Sequence, residues 1–196
     1  ILRCLVGSEM CIRDSFRIAT KDASVGLPEV HLGLLPGSAG TQRTPRLVGV
    51  KSAIDIMTTG KPVKAEKALA IGAIDEIVDD LKSGAIAFAK KVIENATPLK
   101  RVSKSEERVE NNSENLEVIA QERAKWKKNS PHLNAPQKII DCVEQAVLLD
   151  YAGGMNFEQK TFQGLMDSDQ SKSLIHAFFA ERKSNKIPEL ERGAEP

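Results

Sequence analysis

The spacing of apolar residues changes near residue 40 of the chain. Between residues 16 and 31, short β-prone runs around Ile18 and Val25 alternate with turn residues, a pattern that predicts short strands and loops rather than a helix. Gly33–Gly40 holds three glycines and a proline and is predicted to be a loop. After this loop the apolar residues recur every three or four positions, which predicts helices.

The helical pattern continues with few interruptions to the C-terminal region. Predicted helices cover 41–48, 50–58, 64–71, 81–95 and most of the chain after Ser113, while 73–78 resembles an edge strand. Gly60 and Gly72 stand where helices commonly stop. Asn134 is predicted to cap a helix with a proline in its first turn, and Asp167 or Ser168 to cap the last one. The fold class is therefore α/β, with a short β-containing segment and a long helical region.

Composition narrows the class of protein without naming a function. The 196 residues carry 28 Lys and Arg against 27 Asp and Glu, and 41% are hydrophobic, as is typical of a soluble globular protein. Because the formal net charge is +1, no global excess of cations favours nucleic acid as a partner. No apolar run approaches the roughly 18 residues of a membrane span. Three cysteines lack the spacing of a zinc site or a disulfide framework.

The two ends differ from the sequence between them. Residues 1–15, ILRCLVGSEMCIRDS, lack the features of a signal peptide and resemble translated adapter sequence, so they are interpreted as a non-native segment. Residues 187–196 are polar and turn-rich, and they are predicted to be a linker to a domain outside this sequence. The intervening chain is divided into a core segment, 16–100, and a helical region with a connector, 101–186.

One stretch carries most of the chemical information. Residues 23–43, ASVGLPEVHLGLLPGSAGTQR, combine a Pro-Glu pair, a Leu-Gly-Leu-Leu-Pro-Gly run and Gly-Thr-Gln-Arg at fixed spacing. This stretch resembles the signature of the crotonase superfamily, the enoyl-CoA hydratases and isomerases. The resemblance implies a truncated crotonase core, a ClpP-like ββα spiral, followed by a mostly helical C-terminal region.

The resemblance also implies which residues act. Glu29 occupies the place of a catalytic acid/base, and Gly37 that of a glycine whose backbone N–H positions the reacting water. Glu9 falls in register with the family's second glutamate and Gly7 lies two residues before it. The other glycine positions of that segment are Leu5 and Val6, which departs from the pattern.

The tail carries a second resemblance. Residues 171–188 are similar to the helix that precedes the NAD-binding domain of multifunctional β-oxidation enzymes. This implies a C-terminal 3-hydroxyacyl-CoA dehydrogenase domain as partner, with NAD bound there and no cofactor in this chain. An acyl-CoA thioester is the implied substrate, and oligomerisation is left open. Bacterial cytoplasm is the expected compartment, with a peroxisome or a mitochondrion as alternatives.

Three functions stay open on these residues. The first is hydration of trans-2-enoyl-CoA to 3-hydroxyacyl-CoA by the intact protein, with this chain alone inactive. The second is isomerisation of 3-enoyl-CoA to 2-enoyl-CoA through Glu29. The third is a non-catalytic, crotonase-like interaction module. A phosphate-binding loop at 37–43 is disfavoured because the run lacks a Gly-Lys-Ser/Thr ending. His31 would share the face of Glu29 if this segment were extended, but a packing or surface role is the favoured interpretation.

Overall fold

The computed structural model describes residues 15–184, which begin with short strands and continue as helices. The strands are β1 (Ile18–Thr20), β2 (Ser24–Val25), β3 (Val63–Lys64) and β4 (Glu76–Val78). The α-helices are α1 (Gly40–Val48), α2 (Val50–Thr59), α3 (Ala65–Ile71), α4 (Leu81–Glu94), α5 (Ser113–Asn129), α6 (Asn134–Leu148), α7 (Tyr151–Met166) and α8 (Asp169–Ser184). The segments Pro28–Leu32 and Val102–Lys104 form 3₁₀ helices.

The strands form two small sheets. β1 runs parallel to β4, with Ala19 opposite Ile77, and β2 runs antiparallel to β3, with Val25 opposite Val63. Because parallel strands cannot be joined by a tight hairpin, the chain crosses from β1 to β4 through α1, α2 and α3. The strand predicted over 73–78 is confirmed, although its paired part is shorter.

The main core lies among the helices. The face of α6 that the sequence pattern predicts to be apolar is buried throughout, and so are the centres of α1 and α2. The sequence pattern predicts this face to consist of Ile139, Cys142, Val143, Ala146 and Val147, and all five are buried. The other buried residues of α6 are Ala135, Pro136 and Ile140. Leu34 and Leu35 enter this core from the loop before α1, and Leu165 enters it from α7. The core thus draws side chains from both predicted segments, 16–100 and 101–186, whose boundaries stay a prediction.

Helix ends follow the sequence signals at some positions and not at others. Gly60 and Gly72 end α2 and α3 in the left-handed region, with φ of +63° and +85°, as predicted. Ser168 caps α8, because its Oγ accepts a hydrogen bond from the Ser171 N–H. The cap predicted at Asn134 is wrong. That residue is the first of α6, and its N–H donates to Oε1 of Gln170 from α8.

The prediction of strands and loops over residues 16–31 is wrong at its C-terminal end. Pro28–Leu32 is a 3₁₀ helix with proline in its first turn. Proline fixes φ near its helical value and lacks the N–H that a first helical turn leaves unpaired, so it favours helix initiation there. The following glycine, Gly33, ends the turn with φ of +68°.

Helix α4 forms as predicted but buries none of its residues among those described. Its large apolar side chains stay accessible, with Ile86 52% and Ile93 76% exposed. The helix is attached to the β1–β4 sheet by an edge-to-face contact between the rings of Phe88 and Phe16, 5.6 Å apart, and by a close approach of Gly84 to Val78.

Candidate active site

Glu29 is placed by the short helix in which it lies. The turn closes when the N–H of Gly33 donates to the carbonyl of Val30 at 3.0 Å and the N–H of Leu34 donates to the carbonyl of Glu29 at 3.1 Å. A Cβ at Gly33 would stand 3.1 Å from the Cα of Ser171 in α8, so this glycine also allows α8 to approach. The backbone at Glu29 is therefore fixed by hydrogen bonds and by packing.

The carboxyl group of Glu29 holds an unsatisfied oxygen. Its Oε2 is buried and has no hydrogen-bond partner among residues 15–184, while the neighbouring side chains Leu27, Val30 and Leu34 pack into the main core. A buried polar atom without a partner costs free energy, so such atoms are rare and often mark functional positions. This oxygen is available to a water molecule or to a substrate proton.

His31 does not face the same side of the backbone as Glu29. Residues that are two positions apart on a 3₁₀ helix point to different sides, because the helix has three residues per turn. The imidazole lies against the turn at Gly60, where an added Cβ would stand 2.6 Å from Nε2. The condition under which His31 would join the site, an extended backbone, is not met.

Gly37 lies in the turn that leads into α1. The buried residues Leu34, Leu35 and Pro36 connect this turn to Glu29, so both sequence-predicted residues belong to one tightly packed segment. A Cβ at Gly37 would meet the ring of Phe162 at 3.5 Å, an ordinary contact, whereas a Cβ at Gly40 would meet Pro36 at 2.7 Å. The position that requires a bare backbone is therefore Gly40, whereas Gly37 has room for a Cβ.

The turn after Gly37 has an uncommon backbone. Ser38 and Ala39 adopt φ of +55° and +63°, in the left-handed region that residues with a Cβ rarely occupy. The N–H of Gly40 donates to the carbonyl of Gly37 at 2.9 Å and closes the turn. Two consecutive strained residues need support from surrounding structure.

The support comes from Glu158 in α7, a residue that the sequence analysis did not single out. Its side chain is buried, and its oxygens accept hydrogen bonds from the N–H groups of Ala39 (2.7 Å) and Thr41 (2.9 Å) and from the Thr41 hydroxyl (2.5 Å). Burial raises the pKa of Glu158, and these hydrogen bonds together with the charge of Arg43 offset part of that rise. The sequence signal that could have identified Glu158 is its spacing, four residues after Gly154 and seven before Leu165, which places an acid on the same face of the helix as these two residues.

The turn borders an open cavity. Gly37, Ser38 and Ala39 form one wall, and Met155, Glu158, Gln159 and Phe162 of α7 form the other, enclosing about 280 Å³. Most of the lining surface is apolar, as in sites that take small organic ligands. The arrangement places a backbone turn beside space for a ligand.

Other candidate positions add no further group to this site. Glu9 lies outside the described residues. No three His, Cys, Asp or Glu side chains between residues 15 and 184 converge as a metal site requires. None of the helices in that same range has the length and apolar character needed to cross a bilayer.

Comparison with known proteins relates most of the chain to one enzyme family. Residues 6–144 match the family model described as enoyl-CoA hydratase/isomerase, a match that begins within the segment predicted to be non-native. A glyoxysomal fatty acid beta-oxidation multifunctional protein from Cucumis sativus is 39% identical over 93% of the chain. The fatty acid oxidation complex subunit alpha of Shewanella frigidimarina is 37% identical over 98%. The chain spans about a quarter of the length of these relatives, 25% and 27%.

A solved structure confirms the predicted fold. Carnitinyl-CoA hydratase from Mycobacterium avium superposes with a TM-score of 0.52 at 26% identity, over 85% of this chain and 52% of that one. The helices and short strands described above therefore correspond to part of a crotonase-type α/β domain.

Proposed function

Because this chain belongs to the enoyl-CoA hydratase/isomerase family, we propose that it is part of an enzyme that hydrates trans-2-enoyl-CoA to 3-hydroxyacyl-CoA. The observation that carries the proposal is the buried Oε2 of Glu29, which has no hydrogen-bond partner within residues 15–184. An acid/base needs an oxygen that is free to exchange a proton with water or substrate, and this atom meets that need.

The proposed chemistry assigns one task to each group. Glu29 takes a proton from water as the water oxygen bonds to C3 of the enoyl thioester. The double bond between C2 and C3 is lost as C2 receives a proton from a second carboxyl group. The backbone N–H of Gly37 holds the attacking water. The thioester oxygen gains negative charge in this step, and hydrogen-bond donors must stabilise it, because preorganised donors lower the barrier of such reactions strongly. Glu9 is the candidate for the second carboxylate.

Isomerisation is a second candidate function. One carboxylate can remove a proton from C2 of a 3-enoyl thioester and return it to C4, which moves the double bond without adding water. The unpaired oxygen of Glu29 supports this reaction as well. Hydration and isomerisation are therefore separated by their products.

The larger protein is also a matter of proposal. The multifunctional relatives and the quarter of their length that the chain spans support a C-terminal 3-hydroxyacyl-CoA dehydrogenase domain, where NAD would bind. The acyl-CoA thioester is the substrate of the present chain, and self-association is compatible with this architecture. The compartment of the larger protein is proposed to be a bacterial cytoplasm or an organelle such as the peroxisome, because one of the two relatives is bacterial and the other glyoxysomal.

The test is turnover by the full-length protein that contains this sequence. Glu29→Gln keeps the size of the side chain but removes its proton-accepting oxygen, so we expect kcat for hydration of a 2-enoyl-CoA to fall by roughly 10²–10⁴-fold. Glu66→Gln is the matched control, because Glu66 is exposed and lies on α3, and its kcat should stay within twofold of wild type.

The outcomes separate the candidate functions. Loss of hydration with unchanged circular dichroism supports the proposed role of Glu29, and turnover of a 3-enoyl thioester alone would identify an isomerase. Full hydration activity in Glu29→Gln would refute that role. A wild-type protein that turns over neither thioester would leave an interaction module as the function.

A further inference from the structure

Three hydrogen bonds from one turn converge on a single carboxylate. Glu158 and Ala39 are 119 positions apart in the sequence, yet Oε1 of Glu158 accepts the Ala39 N–H, while Oε2 accepts the N–H and the hydroxyl of Thr41. The residue is 4% exposed. Buried acids are usually paired with a cation, whereas this one is occupied by two backbone donors and a hydroxyl.

The hydroxyl bond has a defined direction. Nε2 of Gln42 donates to Oγ1 of Thr41 at 3.1 Å and also to the carbonyl of Cys142 at 3.0 Å. Because Oγ1 accepts from Gln42, its own proton points to Glu158. The carboxylate is thus the end point of a buried chain of donors that joins α1, α6 and α7.

The same contacts fix Ala39, one of the two strained residues. Ala39, with φ of +63°, gives its N–H to Glu158, and Thr41 binds the other carboxylate oxygen on the far side of Gly40. Ser38, with φ of +55°, is held less firmly, since its carbonyl accepts from Nη1 of Arg43 at 3.3 Å. Since the Gly40 N–H closes the turn onto the carbonyl of Gly37, the position of the Gly37 Cα and carbonyl depends on where Glu158 holds Ala39 and Thr41. The Gly37 N–H belongs to the Pro36–Gly37 peptide, so the clamp fixes one end of that peptide and the buried Pro36 fixes the other.

We propose that Glu158 is a positioning residue that clamps the Gly37–Thr41 turn in its left-handed conformation and so sets the direction of the Gly37 N–H toward the reacting water. The role rests on the proposed function, because it matters for catalysis where Gly37 holds water. Glu158 acts through the turn and does not itself exchange a proton with substrate.

A carboxylate suits this position better than an amide. All three atoms that face Glu158 from the turn are donors, and a carboxylate presents acceptors alone. In Glu158→Gln the amide oxygen can serve one side of the turn, but the NH₂ group then faces a second N–H. The turn should therefore loosen at Ala39 or at Thr41, although the side chain has kept its shape.

The first test is kinetic and uses the full-length protein. In Glu158→Gln we expect kcat for hydration to fall roughly 10- to 100-fold while KM stays within about twofold, since misplaced water slows the chemical step but not thioester binding. Glu181→Gln is the matched control, an exposed carboxylate in α8 whose kcat should not change.

The second test varies the Thr41 hydroxyl, so that the proposal can still be tested if Glu158→Gln does not fold. Thr41→Val removes one hydrogen bond and should lower kcat by less than Glu158→Gln, whereas Thr41→Ser keeps the hydroxyl and should restore it. Values of kcat within twofold of wild type for both Glu158→Gln and Thr41→Val would overturn the proposal, as would equal losses in the valine and serine variants.

The third test is hydrogen exchange and does not depend on activity. The amide protons of Ala39 and Thr41 should exchange at least tenfold faster in Glu158→Gln than in Glu181→Gln. If the amide protons respond in this way but the wild-type protein has no hydratase activity, the proposed function is refuted and the clamp is supported. Unchanged exchange at both amides would overturn the clamp even where Glu29→Gln confirms the function.

Discussion

Gly154, on the buried face of α7, gives the sharpest test of how α7 packs against α1. A Cβ built at this glycine would stand 2.0 Å from Oε1 and 2.7 Å from Cδ of Gln42, a side chain that is 0% exposed. In Gly154→Ala the carboxamide of Gln42 must therefore move by more than an ångström. Its Nε2 cannot then keep the hydrogen bonds to Thr41 and to the Cys142 carbonyl, which are 3.1 and 3.0 Å long.

The magnitude follows from two opposing contributions. Replacing glycine by alanine inside a helix favours folding by about 1 kcal/mol. Against this, two lost hydrogen bonds cost about 1 kcal/mol each, and forcing atoms into a packed core costs about 1–3 kcal/mol. The free energy of unfolding of Gly154→Ala should thus fall by about 2–4 kcal/mol, which corresponds to a Tm lower by roughly 4–16 °C for a chain of this size.

The matched control lies on the same helix. A Cβ at Gly164 would meet nothing within 4 Å, so Gly164→Ala gains helix propensity without a clash. Its free energy of unfolding should rise by about 0.5–1 kcal/mol. Urea and thermal unfolding of both variants beside wild type measure the two shifts. If Gly154→Ala were as stable as Gly164→Ala, the contact between α7 and Gln42 would be refuted.

Three further predictions concern buried and capping groups. Because burial raises the pKa of Glu158 above its ordinary 4.5, the unfolded chain loses this proton at lower pH than the folded chain. The difference in free energy of unfolding between wild type and Glu158→Gln should therefore fall as the pH rises through the interval between the unfolded and folded pKa values, and it should stay level above that interval. Urea titrations at several pH values measure this difference. A difference that rises with pH would contradict the burial of this carboxyl group. Burial raises the pKa of the Cys142 thiol to about 12, so this thiol should resist thiol reagents near pH 8 in the folded chain and react on unfolding. The measurement uses a variant in which the other two cysteines are replaced by serine. Rapid labelling of the folded variant would argue against the place of Cys142 in the core. Asn112 caps α5 by accepting the N–H three residues on at 2.9 Å, so Asn112→Ala should lower the free energy of unfolding by about 1 kcal/mol while Asn111→Ala changes it little, and equal effects would dismiss the cap.

Local signals in the sequence were enough for most of the helices. Apolar residues three and four positions apart predicted α2, α3 and α6, and the stripe on α6 is buried as expected. Gly60 and Gly72 ended their helices as predicted, because glycine enters the left-handed region without steric cost. Glu29 was found through a motif of fixed spacing, in which neighbouring residues carry the information.

Tertiary structure decided what depends on residues distant in the chain. Glu158 receives its donors from a turn 117 to 119 positions earlier, and the first N–H of α6 is paired by Gln170 instead of a local cap. Periodicity shows which face of a helix is buried, but not which polar group a buried acid meets there, because that depends on how helices pack. The backbone N–H groups at the start of α1 reach the Glu158 carboxylate because α7 packs against this end of the helix.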